Sequence, residues 1–61
     1  MSVELISDIL ETYRSDLILL DSFIAFNETR IKSNIVKVEL EKLKEHINEK
    51  IDKYETLLKE A

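Results

Sequence analysis

SVELISDILETYRSDLILLDSFIAF, residues 2–26, decides the fold class. Along it Val3, Ile6, Leu10, Tyr13, Leu17, Leu20 and Ile24 follow one another at alternating spacings of three and four. That is a seven-residue repeat with every a and d position apolar over three heptads, the pattern of a helix packed along one seam. Beside the seam runs a second apolar row, Leu5, Ile9, Leu19, Phe23 and Phe26, on the neighbouring c and g positions. At about 100° per residue the two rows span an arc of roughly 160°. Glu4, Ser7, Asp8, Glu11, Arg14, Ser15, Asp21 and Ser22 fall on the opposite face. The stretch therefore predicts a first helix over about 2–26 with more apolar surface than one neighbouring helix can cover.

Downstream, Val36, Leu40, Leu43, Ile47, Ile51, Tyr54 and Leu58 form a second stripe, spaced four, three, four, four, three, four. An eleven-residue repeat of this kind runs nearly straight along a helix, and it predicts a second helix over about 34–60. The stripe is narrow and its flanks are Lys and Glu. Pairs four apart, such as Glu49–Lys53 and Glu55–Lys59, outweigh like pairs such as Glu41–Glu45 and mark a solvated face.

Between the two lies NETRIKSN, residues 27–34, the longest polar stretch. Asn27, Thr29, Ser33 and Asn34 all have short side chains that can bond free backbone groups at helix ends. Continuing the first heptads puts Asn27 and Asn34 on successive d positions, so the seam fails here. The expected architecture is all-α: a two-helix antiparallel hairpin with its turn at about 27–33. The alternative is one continuous coiled-coil helix about 90 Å long at 1.5 Å per residue.

The composition agrees. The 61 residues contain no Gly and no Pro, the two residues that punctuate loops and cost most inside helices. A chain this short is marginal alone and usually needs a staple. There is no Cys and one His, so neither a disulfide nor a zinc site within one chain is available. Oligomerisation is the remaining common staple.

In a closed hairpin the seam of the first helix, Ile6, Leu10, Tyr13, Leu17, Leu20 and Ile24, meets the stripe of the second and forms the core. Leu5, Ile9, Leu19, Phe23 and Phe26 are then left in water. Burying each such side chain is worth about 1.5–3 kcal/mol, and monomers rarely leave a patch of this kind exposed. A second hairpin, making a four-helix bundle with the first helices at its centre, covers the row; a foreign protein helix would do so too. Asp16 and Thr12 interrupt the row, so Asp16 is expected at the rim of the same interface or as a buried acid that sets register.

Charge limits the other partners. Residues 1–28 hold six acids and one base, and residues 29–61 hold eight bases and seven acids, for a total of −4. An acidic first half beside a near-neutral second suits pairing of the two and does not suit broad nucleic-acid or membrane binding. Arg30, Lys32 and Lys37 form a short basic run that could touch phosphate, joined in two copies by Lys42, Lys44 and Lys53. No aromatic interleaves with them for base stacking.

The start, Met-Ser-Val-Glu-Leu, lacks the basic and apolar run of a signal peptide. The most apolar stretch, Leu17–Phe26, is about half the length of a membrane span and includes Asp21. A cytoplasmic, soluble chain is expected.

Chemistry is poorly provided for. His46 has Glu49 three residues on, but Leu43 stands where a carboxylate-bundle metal site would need Glu. Tyr13 and Tyr54 occupy core positions, with hydroxyls expected at the edge. A phosphate-cradling glycine loop is impossible without Gly. No enzyme activity, cofactor or metal is expected. The sequence reads as a small interaction module, homodimeric or higher, acting as adaptor, regulator or assembly subunit. The alternatives are a small nucleic-acid-binding regulator and a helical protein that folds only on a partner, in the manner of an antitoxin or chaperone.

Overall fold

The computed structural model describes residues 2–61. It contains two helices, α1 (Val3–Phe26) and α2 (Asn34–Glu60), packed against each other, with no strand among the described residues. The molecule measures 44 × 16 × 12 Å. A rise of about 1.5 Å per residue makes α2 alone roughly 40 Å long, so the chain folds back on itself. The continuous helix is thereby excluded.

Both helices begin on a serine. Ser2 has extended backbone, and its hydroxyl accepts the Leu5 N–H at 3.1 Å. Ser33 does the same for Val36 at 3.4 Å. Each satisfies one of the donors that a helix start leaves unpaired. Glu4 in the first turn adds negative charge where the α1 dipole favours it. At the far end of α1, the Asn27 backbone N–H and its Nδ2 both donate to the Phe23 carbonyl, at 3.1 and 2.8 Å. Arg30 and Ile31 then donate to the Asn27 carbonyl, at 3.0 and 2.9 Å. Asn27 turns the chain at φ −109°, ψ 10°. No described residue has positive φ, so the turn places no demand that only Gly could meet.

The enclosed core is small: Ile6 and Leu10 from α1, Ile47 and Ile51 from α2. Tyr13, Leu17, Leu20, Tyr54, Leu57 and Leu58 pack around it. These residues sit toward the end of the hairpin that carries the termini. Near the turn the packing thins, with Ile24, Ile31 and Leu40 only half-buried.

The α2 seam departs from the expected stripe. Val36 and Leu43, assigned to the core on spacing, are 45 % and 48 % exposed. The positions that face α1 are instead Leu40, Lys44, Ile47, Ile51, Tyr54 and Leu58, all buried or half-buried. Their spacing is four, three, four, three, four, a heptad rather than an eleven-residue repeat. A helix packed along a heptad seam keeps its own contact line at 3.5 residues per turn, so α1 imposes that period on α2. Lys44 thus lands on the seam, and Leu43 is displaced to its flank. Val3 at the start of the α1 seam is also exposed, and Ile9, expected in water, is half-buried.

Candidate interaction surface

The hairpin has two unlike sides. At about 100° per residue, Arg14 and Asp21 lie to one side of the α1 seam, and Glu55 and Lys44 lie to the matching side of α2. They pair across the helices: Arg14 Nη2 to Glu55 Oε1 at 3.4 Å, and Lys44 Nζ to Asp21 Oδ1 at 2.9 Å. Lys44–Asp21 joins a base of α2 to an acid of α1 as the charge difference suggests, whereas Arg14–Glu55 joins the base of α1 to an acid of α2. Glu55 is engaged by Arg14 rather than by Lys59, and Lys53 lies over the Tyr54 ring, 5.3 Å from its centroid.

The ionisation of Lys44 is shifted by its partner. Its hydrogen bond to Asp21, and then the coulombic attraction of that carboxylate, raise its pKa above the ordinary lysine value. A raised folded-state pKa contributes stability that is complete below the unfolded value and is lost as pH climbs through the folded one. Asp21→Asn should therefore lower the melting temperature slightly near neutral pH, and the difference from wild type should vanish in strongly alkaline solution. A difference unchanged by alkali in paired thermal melts would contradict this assignment. Because the pair is partly exposed, added salt should shrink the difference as well.

The opposite side is apolar. Leu5, Leu19, Phe23 and Phe26 project there from α1 and are exposed, Leu19 by 68 % and Phe26 by 85 %. About 100° of rotation separates this row from the seam, on the side away from the ion pairs. The same rotation on α2, which runs antiparallel, brings Val36, Leu43 and Leu57 to this side. Val36 and Leu43, displaced from the seam by the heptad phase, therefore enlarge the patch, with Leu43 at the level of Phe23; half-buried Leu57 lies at the level of Ile9. Thr12 and Asp16, also exposed, interrupt the α1 row at its middle; Thr12 Oγ1 donates to the Asp8 carbonyl at 2.9 Å.

Ile18, Ile35 and Val38 are exposed as well. None of them entered the expected stripes, and Ile18 lies off both α1 rows. Leu57 was missed as a core neighbour because it stands outside both the heptad and the eleven-residue pattern. Its position next to Leu58, one turn beyond Tyr54, was the available signal.

The remaining candidates stay apart. Arg30 and Lys32 lie exposed in the turn and Lys37 in the first turns of α2. Lys37 shares a groove with Ile24, Glu28, Ile31, Leu40 and Glu41, where two carboxylates stand beside the one ammonium. Lys44, offered as part of a basic strip, is turned into the ion pair with Asp21. His46 is exposed, and no group of three potential metal ligands occurs among the described residues. The rings of Tyr13 and Tyr54 stack at a centroid distance of 6.0 Å and 23° between planes, a packing contact between the helices. No helix is long and apolar enough to cross a membrane. Among known proteins, no family model matches the chain, nor does any curated protein or solved structure.

Proposed function

We propose that this chain is a small non-enzymatic interaction module, a helical hairpin that works as a homo-oligomer in an adaptor, regulatory or assembly role within the cytoplasm. The observation that carries the reading is the one-sided apolar patch of Leu5, Leu19, Phe23 and Phe26 with Val36 and Leu43, set opposite two cross-helix ion pairs. The size of the exposed surface supports it. The accessible area is 4868 Å², whereas a compact monomer of 7.2 kDa exposes about 4100 Å². The radius of gyration tells the same story: it is 14.1 Å, against about 10.5 Å for a compact domain of this length. Four enclosed side chains are few to hold 61 residues in one conformation.

Static light scattering on the pure protein at micromolar concentration tests the reading. The expected mass is at least twice that of the chain. A well-folded monomer, with helical circular dichroism and a cooperative melt, would end it. A monomer with little helix and no cooperative melt would instead favour a chain that folds only on a different protein.

A further inference from the structure

The apolar row of α1 reads alike from both ends. Its positions are Leu5, Ile9, Thr12, Asp16, Leu19 and Phe23, spaced four, three, four, three, four. Reflected about position 14, Leu5 exchanges with Phe23, Ile9 with Leu19, and Thr12 with Asp16. Apolar residues exchange with apolar ones and the two polar residues with each other.

We propose that two copies pair through this row in antiparallel orientation, with a two-fold axis passing between the two α1 helices at the level of position 14. The inference rests on the reading of the apolar side as a self-association surface. A two-fold interface is isologous: if residue i meets residue j, then j meets i. The mirrored row meets that condition at these six positions, while Phe26, which reflects onto the capping Ser2, lies beyond the matched layers. Phe23 packs on the partner's Leu5 and Leu19 on the partner's Ile9. Thr12 stands opposite the partner's Asp16, a hydroxyl facing a carboxylate. Threonine in a helix has two accessible χ1 rotamers, so the hydroxyl that donates to the Asp8 carbonyl can turn to that carboxylate instead.

Parallel pairing of the same row sets each residue against its own copy. Asp16 then meets Asp16 within the seam, and like charges brought together and desolvated are costly. The ends of the hairpin argue the same way. Arg30, Lys32 and Lys37 cluster at the turn, with no acid between Thr29 and Val38, while Glu4, Asp8 and Glu11 line the opposite end of α1. Antiparallel pairing brings this run, flanked by Glu28 and Glu39, toward the partner's Glu4, Asp8 and Glu11; parallel pairing sets those three acids beside their own copies. The row from Leu5 to Phe23, about 27 Å long, is too narrow to supply the ~800 Å² that each partner of a stable complex buries, so the pairing also covers the α2 side of the 44 × 16 Å face.

The test measures distances between two copies by pulsed electron resonance with one nitroxide per chain. The sequence has no cysteine, so Glu28→Cys and Ser15→Cys each give a single label, both on exposed residues outside the row. With the axis at position 14, the Glu28 labels are separated by about 28 residues of helix rise, on the order of 40 Å. In a parallel pair they lie side by side, below about 25 Å, the width of two neighbouring helices plus the labels. The Ser15 labels sit near the axis and give a short distance in either orientation. A long Glu28 distance with a short Ser15 distance, in a particle of dimer mass, is the expected result. Short distances at both sites would overturn the antiparallel arrangement while leaving self-association standing. A mass above the dimer would overturn the two-copy arrangement. A monomer mass with no coupling at either site would remove the self-association reading itself.

Discussion

Replacing Leu10 with alanine should abolish the cooperative thermal transition or lower its midpoint by at least about 8 °C. Leu10 is 1 % exposed, the most enclosed side chain among the described residues, where it belongs to a core of four. Large-to-small substitutions at such sites cost about 2–5 kcal/mol, the lost transfer energy plus a cavity that the surroundings fill only in part. In a domain of this size each kcal/mol moves the midpoint by about 4–8 °C. Nothing is available to absorb the loss, since the other three core residues lie on the same short stretch of the hairpin and the chain has no disulfide. Ellipticity followed through a melt at one fixed protein concentration checks this, because association makes the midpoint depend on concentration. A shift below about 4 °C would mean that the Leu10 site collapses on substitution, or that the hairpin core is not what holds the fold.

Phe23→Asp should weaken self-association by at least about 100-fold. Burying phenylalanine contributes about 1.5–3 kcal/mol, and an unpaired carboxylate in its place adds a desolvation cost of similar or larger size. Together these exceed the 2.8 kcal/mol that corresponds to about 100-fold in a dissociation constant. The matched control is Ile18→Asp. Ile18 is 67 % exposed, more than Phe23, but lies off the row, so the same charge there should leave association unchanged. Sedimentation velocity over a concentration series reads both variants. Equal behaviour of the two, or an undisturbed oligomer with Phe23→Asp, would detach association from the apolar side. The Phe23→Asp hairpin should also melt at a midpoint that no longer depends on concentration.

Much of this molecule was legible before its structure. The break at 27–33 could be found because the heptads of α1 run onto Asn27 and Asn34 while four cap-forming residues gather in the same stretch. Both the capping serine before α2 and the side-chain contact of Asn27 to the Phe23 carbonyl follow from short polar side chains competing for backbone bonds. The exposed row of α1 was equally readable, because its width is a property of one helix and needs no knowledge of the partner. Ile9 shows the margin of error: it lies on the edge of the row nearest the seam, and α2 half-covers it.

The surface contributed by α2 was not legible. Its apolar residues offered a stripe through Val36 and Leu43, and nothing local distinguishes that stripe from the heptad through Leu40, Lys44 and Ile47. Long lysine stems pack on apolar surface while keeping the ammonium in water, so a lysine on the seam is tolerated when an acid such as Asp21 stands within reach.

By itself, the order of amino acids favoured two helices over one continuous helix, placed the break at about 27–33, and gave α1 an apolar band too wide for one neighbour. Those outcomes depend on backbone capping and on periodicity within a single segment. Only the tertiary structure decided the phase of α2, and with it the placing of Leu43 at the level of Phe23, of Val36 nearer the turn, and of Lys44 opposite Asp21. Which face a helix turns inward is settled by the period of the helix it packs against, and that period belongs to the pair.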